Sequence, residues 1–256
     1  MGKVIVILPV FNMEDFLGYC LRSLVAQTWE NWYLVAVDDG ANQITKRILH
    51  DFARQYPQKV KVISQKKNIG VARSLNRALD WIEKEMELEG KWLMRLDADD
   101  FMATNKMERQ VEELTRREKV DWLGCQFGEI DWQNNFLEQS NLAKNNMLIQ
   151  LLLQHHCPLS HPTLMWRGSW QKKHRFRYPT NYRFAEDYAA WRAIAPYTVF
   201  ANLGEVLYFK RYHAKQISMH FRAEQMRETL QIASWRRAKI FSKQTPYSPH
   251  AHSFIV

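Results

Sequence analysis

The sequence predicts an α/β fold: a Rossmann-like, mostly parallel central sheet flanked by helices, with a smaller mixed region in the second half and a C-terminal helix. Three observations carry that expectation. Short, continuously apolar runs alternate with helical patterns through the first half of the chain, as strands covered on both faces and joined by crossover helices do. The strand-like runs lead into turns built from Pro, Asn, Asp or Gly. No internal repeat, low-complexity tract or linker divides the 256 residues, a length that one large domain accommodates.

Taken in order, Val4 to Leu8 is an apolar run rich in β-branched residues and ends at Pro9. Asn12 is placed to cap a helix carrying Phe16, Leu17, Cys20, Leu21 and Leu24 at helical spacing. A second strand, Tyr33 to Val37, runs into Asp38-Asp39-Gly40 and a helix with Ile44, Ile48, Leu49 and Phe52. The third, Val60 to Ile63, leads to Asn68-Ile69-Gly70 and a helix with Val71, Leu75, Ala78, Leu79 and Ile82. The fourth, Trp92 to Leu96, ends in Asp97-Ala98-Asp99-Asp100 before a helix with Met107, Val111 and Leu114. The second half is less regular. Val120 to Cys125 reads as a strand, Lys144 to Gln154 as a helix, and Thr163 to Trp166 and Glu205 to Arg211 as additions to the sheet. The expected organisation is one domain over 1–242, made of a first half at 1–126, a second half at 127–219 and a C-terminal helix at 220–242, followed by a tail at 243–256.

Composition narrows the class. With 46% hydrophobic and 25% charged residues the chain reads as an ordinary globular protein. Its longest apolar run, Val4 to Phe11, is broken by Pro9 and falls short of the roughly 20 residues a membrane helix needs. It also lacks a basic leader region and a cleavage site. Cys20, Cys125 and Cys157 are widely spaced and odd in number, which argues for a reducing compartment. The expected location is cytoplasmic, with peripheral contact at the inner membrane face left open. A formal net charge of +9 suits an anionic substrate, anionic lipid or nucleic acid, but no nucleic-acid module is recognisable.

The chemistry-bearing feature is acidic. In open α/β sheets, ligands bind outside the carboxyl ends of the strands, and both Asp38-Asp39 and Asp97 to Asp100 stand at such ends. Carboxylates from two strands would repel one another and any anionic ligand. A hard divalent cation held between carboxylates and substrate phosphates resolves both problems. Asp is also a common turn residue, and for Asp38 that reading suffices. Three aspartates in four residues after an apolar strand point instead to a metal-diphosphate site. A dehydrogenase would carry a glycine fingerprint after the first strand, and Pro9 to Asp15 contains no glycine.

Several blocks stand in the order and spacing of one family. Val6-Ile7-Leu8-Pro9-Val10-Phe11-Asn12, Val37-Asp38-Asp39-Gly40, Asn68-Ile69-Gly70-Val71-Ala72 and Leu96-Asp97-Ala98-Asp99-Asp100 resemble those of family 2 glycosyltransferases with the GT-A fold. His161-Pro162-Thr163-Leu164-Met165, Glu186-Asp187-Tyr188 and Tyr212-His213-Ala214-Lys215-Gln216-Ile217-Ser218 resemble its later blocks. The resemblance implies an inverting transferase that moves a sugar from a nucleotide-sugar, a UDP-sugar by family tendency. The implied acceptor is a hydroxyl of a glycan or lipid-linked glycan in surface polysaccharide or lipooligosaccharide synthesis, and the implied cofactor is Mn2+ or Mg2+. A non-catalytic nucleotide-sugar-binding protein retaining the fold is the competing reading.

Carried over position by position, the resemblance assigns Pro9, Val10, Phe11 and Asp39 to the nucleoside, and Asp97 and Ala98 to the nucleotide near the ribose. Asp99 would bind the metal, and His213 the metal or the diphosphate; a plain loop histidine is the alternative. Arg73 is a candidate for the diphosphate or the base, with a solvated helix charge as its counterpart. Asp187 matches the base that takes the acceptor hydroxyl's proton, although acids in a helix's first turn are also favoured by the helix dipole. Phe11 keeps the usual ring without its hydroxyl, and Thr104 replaces a common proline. His155, His156, Cys157 and His161 fit no zinc spacing and read as loop and packing residues. The basic, aromatic stretch Arg167 to Arg183 and the segment Arg222 to Lys243, with Met226, Leu230 and Ala233 on one face, suit either anionic lipid or a solvated surface.

Overall fold

The computed structural model describes residues 2–213 and 221–235. The central strand β1 (Val4–Val10) lies between β2 (Trp32–Asp38) and β4 (Trp92–Arg95), parallel to both, and β3 (Val60–Ser64) extends the parallel half beyond β2. β8 (Met165–Arg167) then runs antiparallel to β4 and to β6 (Trp122–Ile130). β6 pairs in parallel with the long β9 (Phe200–Arg211). Two short strands close the far side: β5 (Phe101–Met102) against β9, and β7 (Phe136–Gln139) against β6. The nine-stranded sheet is therefore parallel in its first half and mixed in its second.

Alternation along β1 creates two cores. Val4, Val6 and Leu8 face one side with residues of α1 (Leu17–Val25), α2 (Gln43–Gln55) and α4 (Lys106–Arg116). Ile5 and Ile7 face the other, with α3 (Val71–Glu85) and α7 (Glu186–Ile194). Because successive strand side chains point to opposite faces, an unbroken apolar run is what a doubly covered strand requires. The second core is aromatic: Trp122 stacks on Trp166 at 4.3 Å and meets Trp170, Phe176 and Trp191 edge-on. α5 (Asn146–Leu152), α6 (Gly168–His174) and α8 (Arg222–Ala233) complete the described helices.

Several expectations are corrected. Asn12 does not cap α1: it adopts φ 50°, a region asparagine tolerates, and its Oδ1 accepts the Asn42 amide at 2.8 Å instead. Thr163 falls in a 3-10 turn, His161–Thr163, ahead of β8. β6 starts two residues later than expected and runs to Ile130; β9 starts at Phe200, where the exposed Gly204 and Glu205 obscure the pattern. β5 is too short to show a period, and all four residues of β7 are exposed, so neither leaves an alternation to read. On α8, Met226 and Leu230 are 56% and 63% exposed. Its packed side is rotated to Gln225, Glu228 and Ile232, because polar contacts to the chain before α7 set its orientation. Ala214 to Ser218, the remainder of the C-terminal segment and the 243–256 tail lie outside the described residues.

Candidate active site

The register of β1 and β2 pairs Val10 with Asp38, so the two strands end side by side. The Asp39 amide donates to the Val10 carbonyl at 2.9 Å, which brings Pro9, Val10 and Phe11 to Asp39. Val10 and Asp39 are buried, while Phe11 is exposed and open to a ligand. The Asp39 carboxylate accepts the amides of Ile69 at 2.7 Å and Gly70 at 3.0 Å. Those two bonds use half of its acceptor positions, so it braces the α3 entry loop and still has lone pairs to offer. Burial pushes its pKa up, against the lowering effect of the two amides. Gly40, at φ 73°, is required in this corner: a Cβ there would stand 2.6 Å from the Lys67 carbonyl carbon. Arg73 lies on the same corner, exposed, with Nη1 donating to the Ile69 carbonyl at 3.4 Å.

The acidic turn follows β4 and is held by four contacts from other elements. The Asp97 amide donates to the Tyr208 hydroxyl at 3.1 Å, and Cys20 Sγ to the Asp97 carbonyl at 3.3 Å. The Arg211 amide donates to Asp100 Oδ1 at 2.8 Å, and Arg211 Nε to the Asp99 carbonyl at 3.0 Å. Asp100 is thereby spent on joining the turn to the end of β9. Burial, and then the neighbouring Asp99 and Asp97, push the Asp100 pKa well up. Asp97 is raised by burial, an effect opposed by Arg95. A carboxylate cluster shifted in this direction is one that a cation would relieve.

His213, just past β9, places Nε2 at 3.0 Å from Asp99 Oδ2, with its ring against Phe16 at 4.7 Å. Asp99 and His213 therefore form an oxygen–nitrogen pair at the turn. Among the described residues no group of three or more His, Cys, Asp or Glu side chains gathers into a metal cage. Two such side chains would suit an ion that completes its shell with substrate phosphates and water, as magnesium commonly does.

Asp187 is the second residue of α7, half-buried, with Oδ1 accepting the Tyr188 amide at 2.6 Å. Its pKa is raised, chiefly by burial, and its charge is felt by Arg95 and Lys210. Beside it, burial and then Asp187 push Glu186 up to about 8.

Arg95 occupies the ground between the acidic turn and α7, and sequence reasoning missed it. Its Nε donates to Asp97 Oδ1 at 2.6 Å, and its Nη1 contacts His161 Nδ1. Burial and the adjacent guanidinium hold His161 well below the usual range, so the ring is neutral. With Nδ1 accepting, Nε2 carries the proton and donates to the Tyr178 hydroxyl at 2.9 Å. A signal existed: Arg95 is the one charged residue in an apolar strand and stands two before Asp97, hence on the same strand face. His161 is thus a buried link in this chain; His155 and His156 are exposed.

Part of the basic stretch 167–183 is engaged by other elements of the fold. Arg177 pairs with Glu83 at 2.8 Å and Asp80 at 2.7 Å, Lys172 pairs with Glu87 at 2.8 Å, and Arg167 Nε donates to the Val120 carbonyl at 2.8 Å. Among the described residues no helix is long and apolar enough to cross a membrane.

Comparison with known proteins speaks to family and fold. The family model for Glycosyl transferase family 2 matches residues 5–175. An uncharacterized glycosyltransferase of Haemophilus influenzae is 25% identical over 232 residues, covering 87% of this chain and 69% of its own length. Among solved structures, S. aureus TarS in complex with UDP superposes with a TM-score of 0.68 at 19% identity, over 93% of this chain and 68% of its own. A Pyrobaculum calidifontis mannosyltransferase, in complex with GDP-Man and Mn2+, gives 0.63 at 17% identity, over 96% and 66%. At these identities the structural likeness speaks for the fold.

Proposed function

The chain belongs to glycosyl transferase family 2, and from that premise we propose that it transfers a sugar, with inversion, from a UDP-sugar to a hydroxyl of a glycan or lipid-linked glycan. The observation that carries the reading is that Arg95 pairs with Asp97 in the acidic turn, where His213 meets Asp99, and also acts electrostatically on Asp187 at the start of α7.

In this reading the nucleoside lies over Pro9 to Phe11, with the free lone pairs of Asp39 accepting from the base and Arg73 near the diphosphate. Asp97 and Ala98 face the ribose side. Asp97 is already paired with Arg95, which leaves Asp99 and His213 to hold Mn2+ or Mg2+. When bound, that ion supplies positive charge where the leaving diphosphate gains negative charge. Asp187 accepts the acceptor hydroxyl's proton as its oxygen forms a bond to the anomeric carbon. The bond from that carbon to the diphosphate oxygen breaks, and its electron pair leaves with the nucleoside diphosphate. Attack opposite the leaving group inverts the configuration. The raised pKa of Asp187 makes it a better proton acceptor than an exposed carboxylate.

Asp187→Asn tests the reading. UDP-sugar binding in manganese should survive, while UDP release and product formation fall by several orders of magnitude. Turnover near that of the unaltered protein would remove Asp187 as base. A protein that binds the donor but never releases UDP would be a non-catalytic binder retaining the fold.

A further inference from the structure

We infer that Glu228 on α8 is a positioning residue for the transfer step, because its carboxylate holds the segment leading into the helix that carries Asp187 and so sets where that base stands. The inference rests on the proposed role of Asp187. The first amides of a helix have no partners within it and commonly take a side-chain oxygen from the preceding residue. At α7 that residue is Ala185, which has no such oxygen and makes no side-chain cap. Another element instead grips the N-cap residue and the two residues before it. Glu228 Oε1 accepts the Arg183 amide at 3.0 Å, and Oε2 accepts those of Phe184 at 2.8 Å and Ala185 at 2.9 Å. Gln225 Nε2 donates to the Phe184 carbonyl at 2.9 Å, so both polar partners on this side of α8 address the segment just ahead of Glu186 and Asp187.

The chemistry of Glu228 suits this task. A carboxylate accepts at two oxygens and offers no donor that would clash with converging amides. Its charge strengthens each bond and complements the positive end of the helix dipole. Further contacts seat α8 there: Phe221 stacks on Phe184 at 4.8 Å, Ile232 is fully buried, and Arg192 Nη2 donates to the Trp235 carbonyl at 2.8 Å. The donor-side residues stand on other elements, at the ends of β1, β2, β4 and β9 and, for Arg73, on α3. Loosening that hold should therefore disturb the base and leave the donor where it is.

The test measures UDP release, using the UDP-sugar that gives the largest thermal shift with manganese, in Glu228→Ala, Glu228→Gln, Asp187→Asn and the double variant Glu228→Ala/Asp187→Asn. Glu228→Ala should lower kcat roughly 10- to 100-fold, the range expected for a displacement of about 1 Å, with donor Kd changed less than about twofold. Glu228→Gln, which keeps one accepting oxygen, should recover part of that loss. In the Asp187→Asn background the alanine substitution should cost nothing further, since residues acting through one group are not additive. Unchanged kcat in Glu228→Ala would overturn the inference. So would a parallel loss of donor binding, or an equal further loss in the double variant. If Glu228→Ala fails to fold, Glu228→Gln carries the same comparison. Full turnover in Asp187→Asn would instead remove the base assignment, an outcome distinct from each of these.

Discussion

His213 Nε2 stands 3.0 Å from Asp99 Oδ2, joining residues 114 positions apart at the end of the central sheet. The contact is made because β9 ends beside the acidic turn, where Arg211 donates to both Asp99 and Asp100. It predicts unequal effects of substitution. Asp99→Ala should abolish the manganese-dependent part of UDP-sugar binding, and His213→Ala should weaken it on the order of 10- to 100-fold. Calorimetric titration of UDP with and without manganese measures both; metal-independent binding in the unaltered protein would remove the pair as a metal site.

Gly40 carries a stability prediction. Its φ of 73° and the 2.6 Å approach of a Cβ to the Lys67 carbonyl carbon make Gly40→Ala strained in both backbone and space. A loss of about 1–3 kcal/mol is expected, seen as a lower urea midpoint. Gly70→Ala meets no atom within 4 Å, but its φ of 89° and ψ of 158° lie in a region open essentially to glycine alone, so its loss reads backbone strain without the clash.

Glu186 predicts a pH dependence. Its pKa rises from the ordinary 4.5 to about 8, through burial and then Asp187. Between those values the folded protein holds a proton that the unfolded chain has released. Stability contributed by this group therefore falls as pH rises from about 4.5 to about 8 and levels off above. The effect is on the order of a few kcal/mol. Glu186→Gln should flatten the slope in urea denaturation series from pH 5 to 8.5; an unchanged slope would assign it to other groups.

The outer side of α8 predicts a membrane contact. Met226 and Leu230 are exposed there beside Arg222 and Arg227, a pairing of apolar and cationic groups that suits an anionic interface. The full chain should co-sediment with phosphatidylserine vesicles more than with neutral ones, and less after Met226→Glu/Leu230→Glu. Equal, negligible sedimentation with both vesicle types would leave a solvated basic surface.

Much of the fold and part of the site can be read from contiguous residues. Val4 to Leu8 is recognisable as a doubly covered strand because every residue in it is apolar, and Asp97 to Asp100 as a strand-end cluster because the acids are adjacent. The short or irregular pieces are less legible: β5 has two residues, and β7 is wholly exposed, so neither shows the alternation that marks a half-buried strand. The misread face of α8 has the same origin. Its apolar residues suggest one packed side, but Glu228 and Gln225 turn another toward α7.

The sequence by itself determined the α/β alternation, the strand-end acids and, through the order of its motif blocks, the family. Only the tertiary structure decided which of those acids are already committed. Asp100 belongs to Arg211, Asp97 to Arg95, and Asp39 in part to the Ile69 and Gly70 amides, whereas Asp99 faces His213. It also decided that the segment leading into α7 is held from 43 to 45 positions away by Glu228. The physical reason is range. Periodicity and turn chemistry act over a few neighbouring residues, while the partner of a buried charge is set by which strand ends the sheet brings together.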